Sequence, residues 1–342
     1  MSELNIGQID FGYELLDFGE GKRLERFGRY VVERFSVLAE SFCLSDRRLW
    51  DKVDASFVPR HFAQQYNRQV SQVGQVITPQ NQKDTEKYAK KYADQEDGQR
   101  GSWTCDLGSW VVDFGQMLLE LRCTPFGHVG LFAEQLSNWA ELSRLISAAS
   151  ICQSNRREVI RVLNLFAYTG GGSIAVVKST EVKSTVSQSC GSQQNVEVVH
   201  VDSSRSVVEW AKRNAVLNGV SGVRFIVDDV RQFVRRELRR GRKYDVVILD
   251  PPTYGHGTKN ETWMLSTDLP FLLADIAGLL TNNPIAVLLT AHTIGCDSDK
   301  LQKMLNDSGI KLPNIKKLQL NLTTKKGKSL PSGYGILATQ NE

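Results

Sequence analysis

The feature that most restricts the fold is an alternation of apolar runs and helical segments from about residue 158 onward. The apolar runs are short, rich in Val, Ile and Leu, and typical of parallel strands buried on both faces. Strands that alternate with helices predict a doubly wound α/β sheet with right-handed crossovers. We predict strands at 159–166, 196–201, 223–227, 244–249 and 285–290, and helices at 206–217 and 269–280.

The first third of the chain has a different pattern, which predicts a smaller α+β domain. Its short apolar and aromatic runs, at 30–38, 102–107, 110–114 and 117–121, are typical of strands. We therefore expect an N-terminal α+β domain over 1–125 and a Rossmann-like α/β domain over 126–342. The polar stretch 78–100, which has few large aliphatic residues, is predicted to be a solvated loop or a frayed helix, and the polar stretch 178–195 to be an inserted surface loop.

The composition excludes several classes of protein. No segment approaches the roughly 18 apolar residues of a membrane span, and the N-terminus lacks the pattern of a secretory signal. The six cysteines have no C-x-x-C spacing, so we expect no metal site and free thiols in a reducing cytoplasm. A net charge of +4 permits an RNA partner without requiring one, and the sequence leaves the oligomeric state open.

Three predicted strand ends carry residues suited to a nucleotide-like ligand, because open α/β sheets bind ligands beyond the carboxyl ends of their strands. The first leads into the turn 164–173, whose glycines precede a helix N-terminus that can donate to a carboxylate. The second ends at Asp202, which can accept hydrogen bonds from ribose hydroxyls. The third ends at Asp228, Asp229 and Val230, where a carboxylate can accept from an adenine amino group.

A dinucleotide site is the main alternative, since it also needs a glycine turn and an acidic second strand. Its G-x-G-x-x-G spacing is missing from Tyr168-Thr-Gly-Gly-Gly172. A purely structural loop would also explain the glycines on their own. The order of glycine turn, Asp202, Asp229 and then Asp250-Pro-Pro favours the methyl donor S-adenosylmethionine (SAM).

The string Leu249-Asp-Pro-Pro-Thr-Tyr254 is the most specific in the sequence. Two prolines directly after a buried strand stop strand pairing and fix a rigid extended turn. Such a turn suits a carboxylate that holds a base against a methyl donor, and an ordinary strand exit is the alternative. We predict Asp250, Pro251, Pro252 and Tyr254 as catalytic residues.

Eight stretches carry a family resemblance that spans nearly the whole chain: 16–28, 126–135, 164–173, 199–203, 214–219, 225–230, 249–254 and 330–333. They resemble the class I SAM-dependent RNA methyltransferases that include the bacterial 23S rRNA cytosine-C5 methyltransferases. The resemblance implies a Rossmann-like catalytic domain, SAM as cofactor and RNA, ribosomal RNA above all, as partner. The small RNA-binding barrel with which members often begin is expected to be missing here.

The resemblance also implies that Phe132, Glu134 and Gln135 lie over the cofactor. A small-molecule methyltransferase on the same fold is the alternative function. Together with the strand ends, these residues complete the predicted cofactor-binding set: Phe132, Glu134, Gln135, Asn164, Phe166, Tyr168, Thr169, Gly170, Asp202, Ser203, Asp228, Asp229, Val230 and Asp250.

One departure from the cytosine-C5 members concerns the nucleophile. Those members use a cysteine after the fifth strand, because C5 becomes reactive once a thiolate has added to C6. Thr293 stands at that position here, and Cys296 lies three residues later. The Asp-Pro-Pro-Thr-Tyr string is similar to relatives that methylate a guanine nitrogen, which needs no covalent step. The target atom stays open.

Two further features each have a functional and a non-functional interpretation, and we favour the non-functional one. His292 is either a proton acceptor or, as we favour, a hydrogen-bonded structural residue. Segment 231–243 predicts an amphipathic helix with an arginine-rich face, which either binds phosphates or, as we favour, is solvated. Lys325–Lys328 and Arg47-Arg48 add positive charge near family-matching stretches.

Overall fold

The protein is described from a computed structural model over residues 10–60, 100–151, 159–181, 195–257 and 261–340. The chain divides into two compact units. Unit 1 consists of Met1–Ala133 and Asn321–Ser332, and unit 2 of Glu134–Leu320 and Gly333–Glu342. This division follows Ala133 and assigns a C-terminal segment to unit 1, whereas we predicted the domain boundary after residue 125.

Unit 1 is built on two small sheets. Five strands pair in the order β2-β3-β4-β5-β6, and β1, β7 and β8 form a second sheet in the order β1-β7-β8. The eight strands are β1 (Asp10–Phe11), β2 (Tyr13–Gly19), β3 (Lys22–Phe27), β4 (Tyr30–Phe35), β5 (Ala55–Pro59), β6 (Gly101–Trp103), β7 (Ser109–Phe114) and β8 (Met117–Arg122).

The strands predicted in this region are present, although two are shorter than predicted. The run 30–38 ends as a strand at Phe35, and its last residues form the 3-10 turn Val37–Ala39. The run 102–107 is a strand only as far as Trp103. The sequence analysis missed β1, β2, β3 and β5. Except for Arg100, the polar stretch 78–100 lies outside the described residues.

Unit 2 contains a seven-stranded sheet, six α-helices and a hairpin among its described residues. Its strands are β9 (Val159–Leu165), β10 (Asn195–Asp202), β11 (Val223–Val227), β12 (Val246–Leu249), β13 (Tyr254–His256), β14 (Thr262–Met264), β15 (Ala286–Ala291), β16 (Asn314–Thr323) and β17 (Ser329–Thr339). Its helices are α1 (Leu136–Ile151), α2 (Gly171–Glu181), α3 (Arg205–Leu217), α4 (Val230–Arg239), α5 (Leu265–Ala277) and α6 (Ser298–Asp307). The ends of β16 and β17 near their connection belong to unit 1.

The strand order of the large sheet is β11-β10-β9-β12-β15-β17-β16. Its first five strands in this order run parallel, and β17 is antiparallel to β15. This confirms the predicted doubly wound sheet of a Rossmann-like domain, and it adds the antiparallel pair, which the sequence analysis did not predict. The order reverses between β9 and β12, because β10 and β11 follow β9 on one side and β15 lies beyond β12 on the other.

Alternate residues of the central strands enter two separate cores, since successive side chains of a strand point to opposite faces. Val162 and Val246 pack in a core with α1 and α2. Leu163 and Val247 pack in a core with α4, α5 and α6. Both faces of the sheet are therefore buried, as the continuous apolar runs predict.

Several predicted segments need correction at their ends. The helix predicted at 231–243 is α4, which begins at Val230 and ends at Arg239, and the strand predicted at 244–249 begins at Val246. The helix predicted at 269–280 begins at Leu265 and ends at Ala277, because Asp268 accepts from the Met264 backbone N–H at 2.7 Å and starts the helix ahead of Pro270. The loop predicted from 178 begins later, since α2 continues to Glu181. The Ser147 hydroxyl donates to the Ser179 carbonyl at 3.1 Å and supports that last turn. Residues 182–194 of the predicted loop lie outside the described residues.

Candidate cofactor and catalytic site

The candidate site lies in unit 2 at the carboxyl ends of β9, β10, β12 and β15, where the strand order reverses. Leu165 of β9 is paired with Leu249 of β12, and Leu249 is also paired with Leu289 of β15. The residues that follow these strands are therefore neighbours. A strand-order reversal of this kind is where open α/β sheets bind their ligands.

The turn after β9 is built from left-handed backbone. Phe166 and Tyr168 have φ values of 56° and 49°, and Gly170 has 93°. Positive φ is uncommon outside glycine, and bulky residues adopt it only where the surroundings fix them. Here the Phe166 ring packs against Trp263 at 4.8 Å, and the Tyr168 N–H donates to Asp202 at 3.0 Å. The turn is thus held at both of its strained aromatic residues.

The glycines of this turn have different functions. Gly170 has the positive φ, and a Cβ there would lie 3.2 Å from Ala211. Gly171 and Gly172 begin α2, and a Cβ at these positions would lie 2.4 Å and 3.1 Å from the Trp139 ring. The second and third glycines are therefore explained by packing of α2 against α1, and ligand access is not needed to account for them.

Asp202 ends β10 with its carboxylate fixed by backbone donors. One oxygen accepts from the Tyr168 N–H at 3.0 Å, and the other accepts from the Ser204 N–H at 2.9 Å. Burial raises the pKa of Asp202, and the backbone N–H groups of residues 203, 204 and 168 oppose part of that rise. Each oxygen keeps a second lone pair that can accept a hydrogen bond from a ligand hydroxyl.

The carboxylates at the end of β11 are occupied by side chains of α4. Asp228 forms an ion pair with Arg236. Asp229 is the N-cap of α4, accepting from the Gln232 N–H at 3.1 Å, and pairs with Arg231 at 3.1 Å. Their contacts therefore show an N-cap and two ion pairs at the positions where we predicted an adenine contact.

Asn164 and Thr169 take part in buried hydrogen bonds that organise the turn. The Asn164 amide donates to the Ser173 hydroxyl at 2.9 Å, and that hydroxyl contacts His200 Nδ1 at 3.1 Å. The Asn214 amide of α3 donates to the Thr169 carbonyl at 2.9 Å. Sequence reasoning missed Ser173, His200 and Asn214 as supports of the turn, and their polar character inside apolar segments was the available signal.

The strand end at which we predicted catalytic residues has a network of side chains around Asp250. Its Oδ1 accepts from the Thr290 hydroxyl at 2.7 Å, and its Oδ2 accepts from the Gln135 amide at 2.9 Å. The Gln135 carbonyl oxygen in turn accepts from the Asn138 amide at 2.9 Å. Gln135 and Asn138 are both buried, so the donor that faces Asp250 has a fixed orientation.

His292 lies between two carboxylates at the end of β15. Its Nε2 is 3.4 Å from Asp250 Oδ1, and its Nδ1 is 3.7 Å from Glu134 Oε1. Burial by itself raises the pKa of Asp250, but His292, Thr290 and Gln135 together bring it below its usual value. The structure thus places His292 beside the predicted catalytic carboxylate. A Cβ at Gly333 would lie 3.0 Å from His292 Nδ1, so this glycine leaves space for the ring.

The two prolines after Asp250 lead into the β13–β14 hairpin. The Pro252 carbonyl accepts from the Trp263 indole N–H at 2.8 Å, and the Tyr254 ring packs edge-on against His256 at 5.4 Å. The carbonyl of His256 accepts from the Ser203 hydroxyl at 3.2 Å, which ties the hairpin to the end of β10. The hairpin is thereby anchored next to the strand ends.

The remaining predicted residues have these positions. Val230 is buried at the start of α4, and Pro251 is buried after β12. Phe132 belongs to unit 1, where its ring lies 5.2 Å from His128. The segment of Glu134 and Gln135 is the 3-10 turn that precedes α1.

In the described part of unit 2, no thiol stands at the cysteine position of the cytosine-C5 enzymes. The Thr293 hydroxyl contacts the Thr253 hydroxyl at 2.8 Å. Cys296 is the one cysteine among the described residues of this unit; its side chain is buried, and burial raises its pKa. A thiol in these surroundings forms little thiolate at neutral pH.

The arginines of α4 are largely paired with carboxylates. Arg231 contacts Asp229 and Asp268, each at 3.1 Å, and Arg235 contacts Asp275 at 3.4 Å. In unit 1, Lys328 is enclosed by Asp17 and by two backbone carbonyl oxygens. Further basic side chains with carboxylate partners are Arg236, Arg240, Arg47, Arg48 and Lys325. These pairs agree with the interpretation of α4 as a solvated surface helix.

Two features are absent from the described residues. No helix there is long and apolar enough to cross a membrane. Nor do His, Cys, Asp and Glu side chains of these residues form a group of three that could hold a metal ion.

Several curated proteins are similar to part of the chain. Ribosomal RNA large subunit methyltransferase I of Aeromonas salmonicida is 30% identical over 199 residues, which is 57% of this chain and 42% of that protein. The protein of the same name from Salmonella arizonae is 31% identical over 153 residues, or 44% of this chain and 34% of that protein. The chain thus spans less than half the length of these relatives. No protein-family model matches it.

Solved structures match almost the whole chain. A SAM-dependent methyltransferase from Agrobacterium tumefaciens is 26% identical with a TM-score of 0.74, covering 96% of this chain and 90% of that one. A structure from Streptococcus mutans, described as a SAM-dependent methyltransferase, is 13% identical with a TM-score of 0.60 and covers 96% and 74%. The protein therefore has the Rossmann-like fold of SAM-dependent methyltransferases, together with an N-terminal sheet domain.

Proposed function

We propose that the protein is a SAM-dependent methyltransferase that acts on a base of RNA, with ribosomal RNA as its substrate. The observation that carries the proposal is the placement of Asp202 and Asp250. These carboxylates follow β10 and β12, on either side of β9 and its left-handed turn. The fold match and the names of the similar ribosomal RNA methyltransferases support it.

The residues at the strand ends fit the cofactor chemically. Asp202 is a fixed acceptor for the two ribose hydroxyls, because backbone donors hold both of its oxygens and leave lone pairs available. The backbone of the turn at Tyr168, Thr169 and Gly170 would hold the amino-acid end. When bound, SAM supplies an electrophilic methyl group on a sulfonium sulfur. The proposed cofactor site is completed by Glu134, Gln135, Asn164, Phe166, Ser203, Asp228, Asp229 and Val230, and Phe132 is proposed with them on the family resemblance.

Asp250, Pro251, Pro252 and Tyr254 are proposed to hold the base. The buried Pro251 and the Trp263 bond to Pro252 make the segment after Asp250 rigid. A rigid carboxylate can position a nucleophile in line with a methyl group, and orientation of this kind supplies much of the rate of a transfer reaction. The RNA substrate is supported by the relatives more than by charge, because many of the described basic side chains, those of α4 among them, have acidic partners.

Cofactor binding is tested by calorimetry with SAM and with NAD. We expect SAM to bind and NAD to fail. Asp202→Asn should weaken SAM by about 10- to 100-fold, since it replaces a charged acceptor that faces two hydroxyls. Asp307→Asn, at an exposed carboxylate of α6, is the control and should bind as the wild type does. NAD binding without SAM binding would contradict the proposal.

The substrate is tested with radiolabelled SAM and total RNA from a strain that lacks the gene. We expect label in ribosomal RNA from that strain and little label in RNA from the parent, whose sites are already methylated. Label that enters a metabolite fraction while RNA stays unlabelled would instead support a small-molecule methyltransferase.

A further inference from the structure

The carboxylate of Asp250 is contacted by side chains from two other parts of the chain. Gln135 precedes α1, while Thr290 and His292 lie in and just after β15, and Asp250 itself follows β12. The contacts are 2.9 Å from Gln135, 2.7 Å from Thr290 and 3.4 Å from His292. An ordinary strand exit would not require contacts to its carboxylate from residues so far apart in the sequence.

These contacts leave part of the carboxylate available. An ionised carboxylate has about four lone-pair sites. Oδ1 accepts from the Thr290 hydroxyl and lies 3.4 Å from His292 Nε2, whereas Oδ2 accepts one hydrogen bond, from Gln135. Asp250 can therefore accept one more hydrogen bond at Oδ2, and its direction is fixed because Thr290 and Gln135, one at each oxygen, fix the carboxylate plane.

Two further ionisable groups lie near Asp250: His292, and Glu134 beyond it. His292 faces Asp250 through Nε2 and Glu134 through Nδ1. A positive charge on the His292 ring would therefore face a carboxylate at each nitrogen. His292 and, beyond it, Glu134 are the charged groups in the described contacts of Asp250, since Gln135 and Thr290 are neutral.

We propose that Gln135, Thr290 and His292 are positioning residues that hold Asp250 as an ionised, oriented acceptor for an N–H group, so that the nucleophile is an amino or ring nitrogen of the base. This inference rests on the proposed function and specifies the atom that is methylated. A carbon nucleophile such as cytosine C5 would need a thiolate adding to C6. The described part of unit 2 offers the buried Cys296 alone, with its raised pKa.

The transfer balances with a nitrogen nucleophile. The nitrogen lone pair forms the new N–C bond to the methyl group. The C–S bond breaks, and its electron pair stays on sulfur. The proton that the nitrogen loses passes to water by way of the Asp250 carboxylate, which already accepts the N–H hydrogen bond. His292 keeps its own protons throughout and acts through Asp250.

The positioning role is tested by the titration of Asp250 in the full-length protein, followed by carbon NMR of its labelled carboxyl group. We expect a pKa below the usual range in the wild type, and a higher pKa in His292→Gln, which removes the ring beside Asp250. Glu134→Gln should give a smaller rise in the same direction. Glu141→Gln, an exposed glutamate of α1, is the matched control and should leave the titration unchanged. An unchanged Asp250 titration in both test variants, with thermal unfolding like the wild type, would overturn the positioning role.

The nitrogen nucleophile is tested by the product. RNA methylated by the enzyme is digested to nucleosides and analysed by mass spectrometry against synthetic standards. We expect a nucleoside methylated on nitrogen. Methyl transfer that yields 5-methylcytidine or 5-methyluridine overturns the inference and leaves the proposed RNA methyltransferase standing. SAM binding with no methyl group in any RNA overturns the proposed function itself and the inference with it.

The pH profile connects the two measurements. In His292→Gln, the acid limb of kcat/KM should move up by the same amount as the Asp250 titration, while the Kd for SAM stays within about twofold. A fall in rate that is equal at every pH would indicate a purely structural effect and would contradict the proposal.

Discussion

Two carboxylates with lowered pKa values, the buried Glu25 in unit 1 and the partly exposed Asp250 in unit 2, have different kinds of partners. Glu25 is 1% exposed and receives two hydrogen bonds from the Arg34 guanidinium, at 2.7 and 2.8 Å, and one from the Tyr13 hydroxyl at 2.9 Å. Asp250 has no arginine or lysine among its described partners and is held by an amide, a hydroxyl and His292.

The difference separates a carboxylate that stabilises a fold from one that is available to a ligand. Burial by itself raises the pKa of Glu25, but Arg23 and Arg34 lower it below its usual value, and their bonds leave little capacity for another donor. Asp250 also has a lowered pKa, yet one of its oxygens keeps a free acceptor site. Ionisation is thus common to both, and the oxygen that accepts a single hydrogen bond, from Gln135, is what makes Asp250 suited to a substrate.

The largest effect is expected from Arg34→Met in unit 1. The substitution leaves Glu25 buried without its bidentate partner, and breaking a buried pair in this way costs about 3–5 kcal/mol. Urea unfolding of the full-length protein measures this decrease in the free energy of unfolding. Lys22→Met is the control on the adjoining strand, because Lys22 pairs with Glu33 at 2.8 Å while about half exposed, and it should cost less than about 1 kcal/mol. Equal decreases for the two variants would contradict the distinction between the two kinds of carboxylate.

A smaller effect is expected from the titration of Asp17, another buried carboxylate of unit 1. Burial raises its pKa, but hydrogen bonds from Trp50, Lys328 and Ser45 outweigh burial and lower the pKa to about 2. A lowered folded-state pKa gives stability that is complete above the unfolded value near 3.8 and is lost as the pH falls through about 2.

We expect Asp17 to contribute about 2 kcal/mol across that interval. Urea unfolding of wild type and Asp17→Asn between pH 5 and pH 2 measures the contribution. The free energies of the two proteins should converge as the pH falls, since the variant has no carboxylate to titrate there. Parallel curves would show that Asp17 does not carry this part of the acid sensitivity.

The sequence predicted the large sheet well and the small one poorly, for a physical reason. Strands such as β9 and β12 are buried on both faces, so each is a continuous apolar run that periodicity detects. Strand β3 has charged residues at four of its six positions: Lys22 and Arg26 are exposed, and Glu25 is buried in an ion pair with Arg34 in place of an apolar contact. No local pattern distinguishes such a strand from a solvated loop.

The strand-end residues of the site were predictable because each follows a strand that the sequence reveals. The turn at Tyr168, Asp202 and Asp250 are therefore in adjacent positions, as expected from parallel strands. The partners of Asp250 were not predictable from residue patterns. Thr290 and His292 lie about 40 residues downstream and Gln135 lies 115 upstream, so only the fold brings them together.

A more modest effect is expected from Thr290→Val, which removes the hydroxyl that donates to Asp250 at 2.7 Å and keeps the side-chain shape. We expect kcat to fall about 10-fold, equivalent to about 1.4 kcal/mol, because Asp250 is then without one of the donors that orient it. Thr290→Ser keeps the hydroxyl and should restore most of the rate. Methyl transfer to RNA measures both variants, and urea unfolding should show a smaller destabilisation than that of Arg34→Met. A Thr290→Ser rate as low as that of Thr290→Val would show that packing of the methyl group, not the hydroxyl, is what matters.

The smallest change in the free energy of unfolding is expected from the arginine face of α4, where arginines form solvent-exposed ion pairs with carboxylates. Arg235 is 3.4 Å from Asp275 and Arg239 is exposed, so the double variant Arg235→Gln/Arg239→Gln should change the free energy of unfolding by less than about 0.5 kcal/mol.

The same variant decides whether this face binds RNA. If these arginines neutralise phosphates, the slope of log affinity against log salt concentration should decrease by about 0.7 to 0.9 for each phosphate that is no longer neutralised. We expect an unchanged slope, since an arginine that is paired with a carboxylate of its own chain must give up that partner before it can neutralise a phosphate. A reduced slope would show that these surface pairs, unlike the buried pair of Glu25 and Arg34, exchange readily for a ligand.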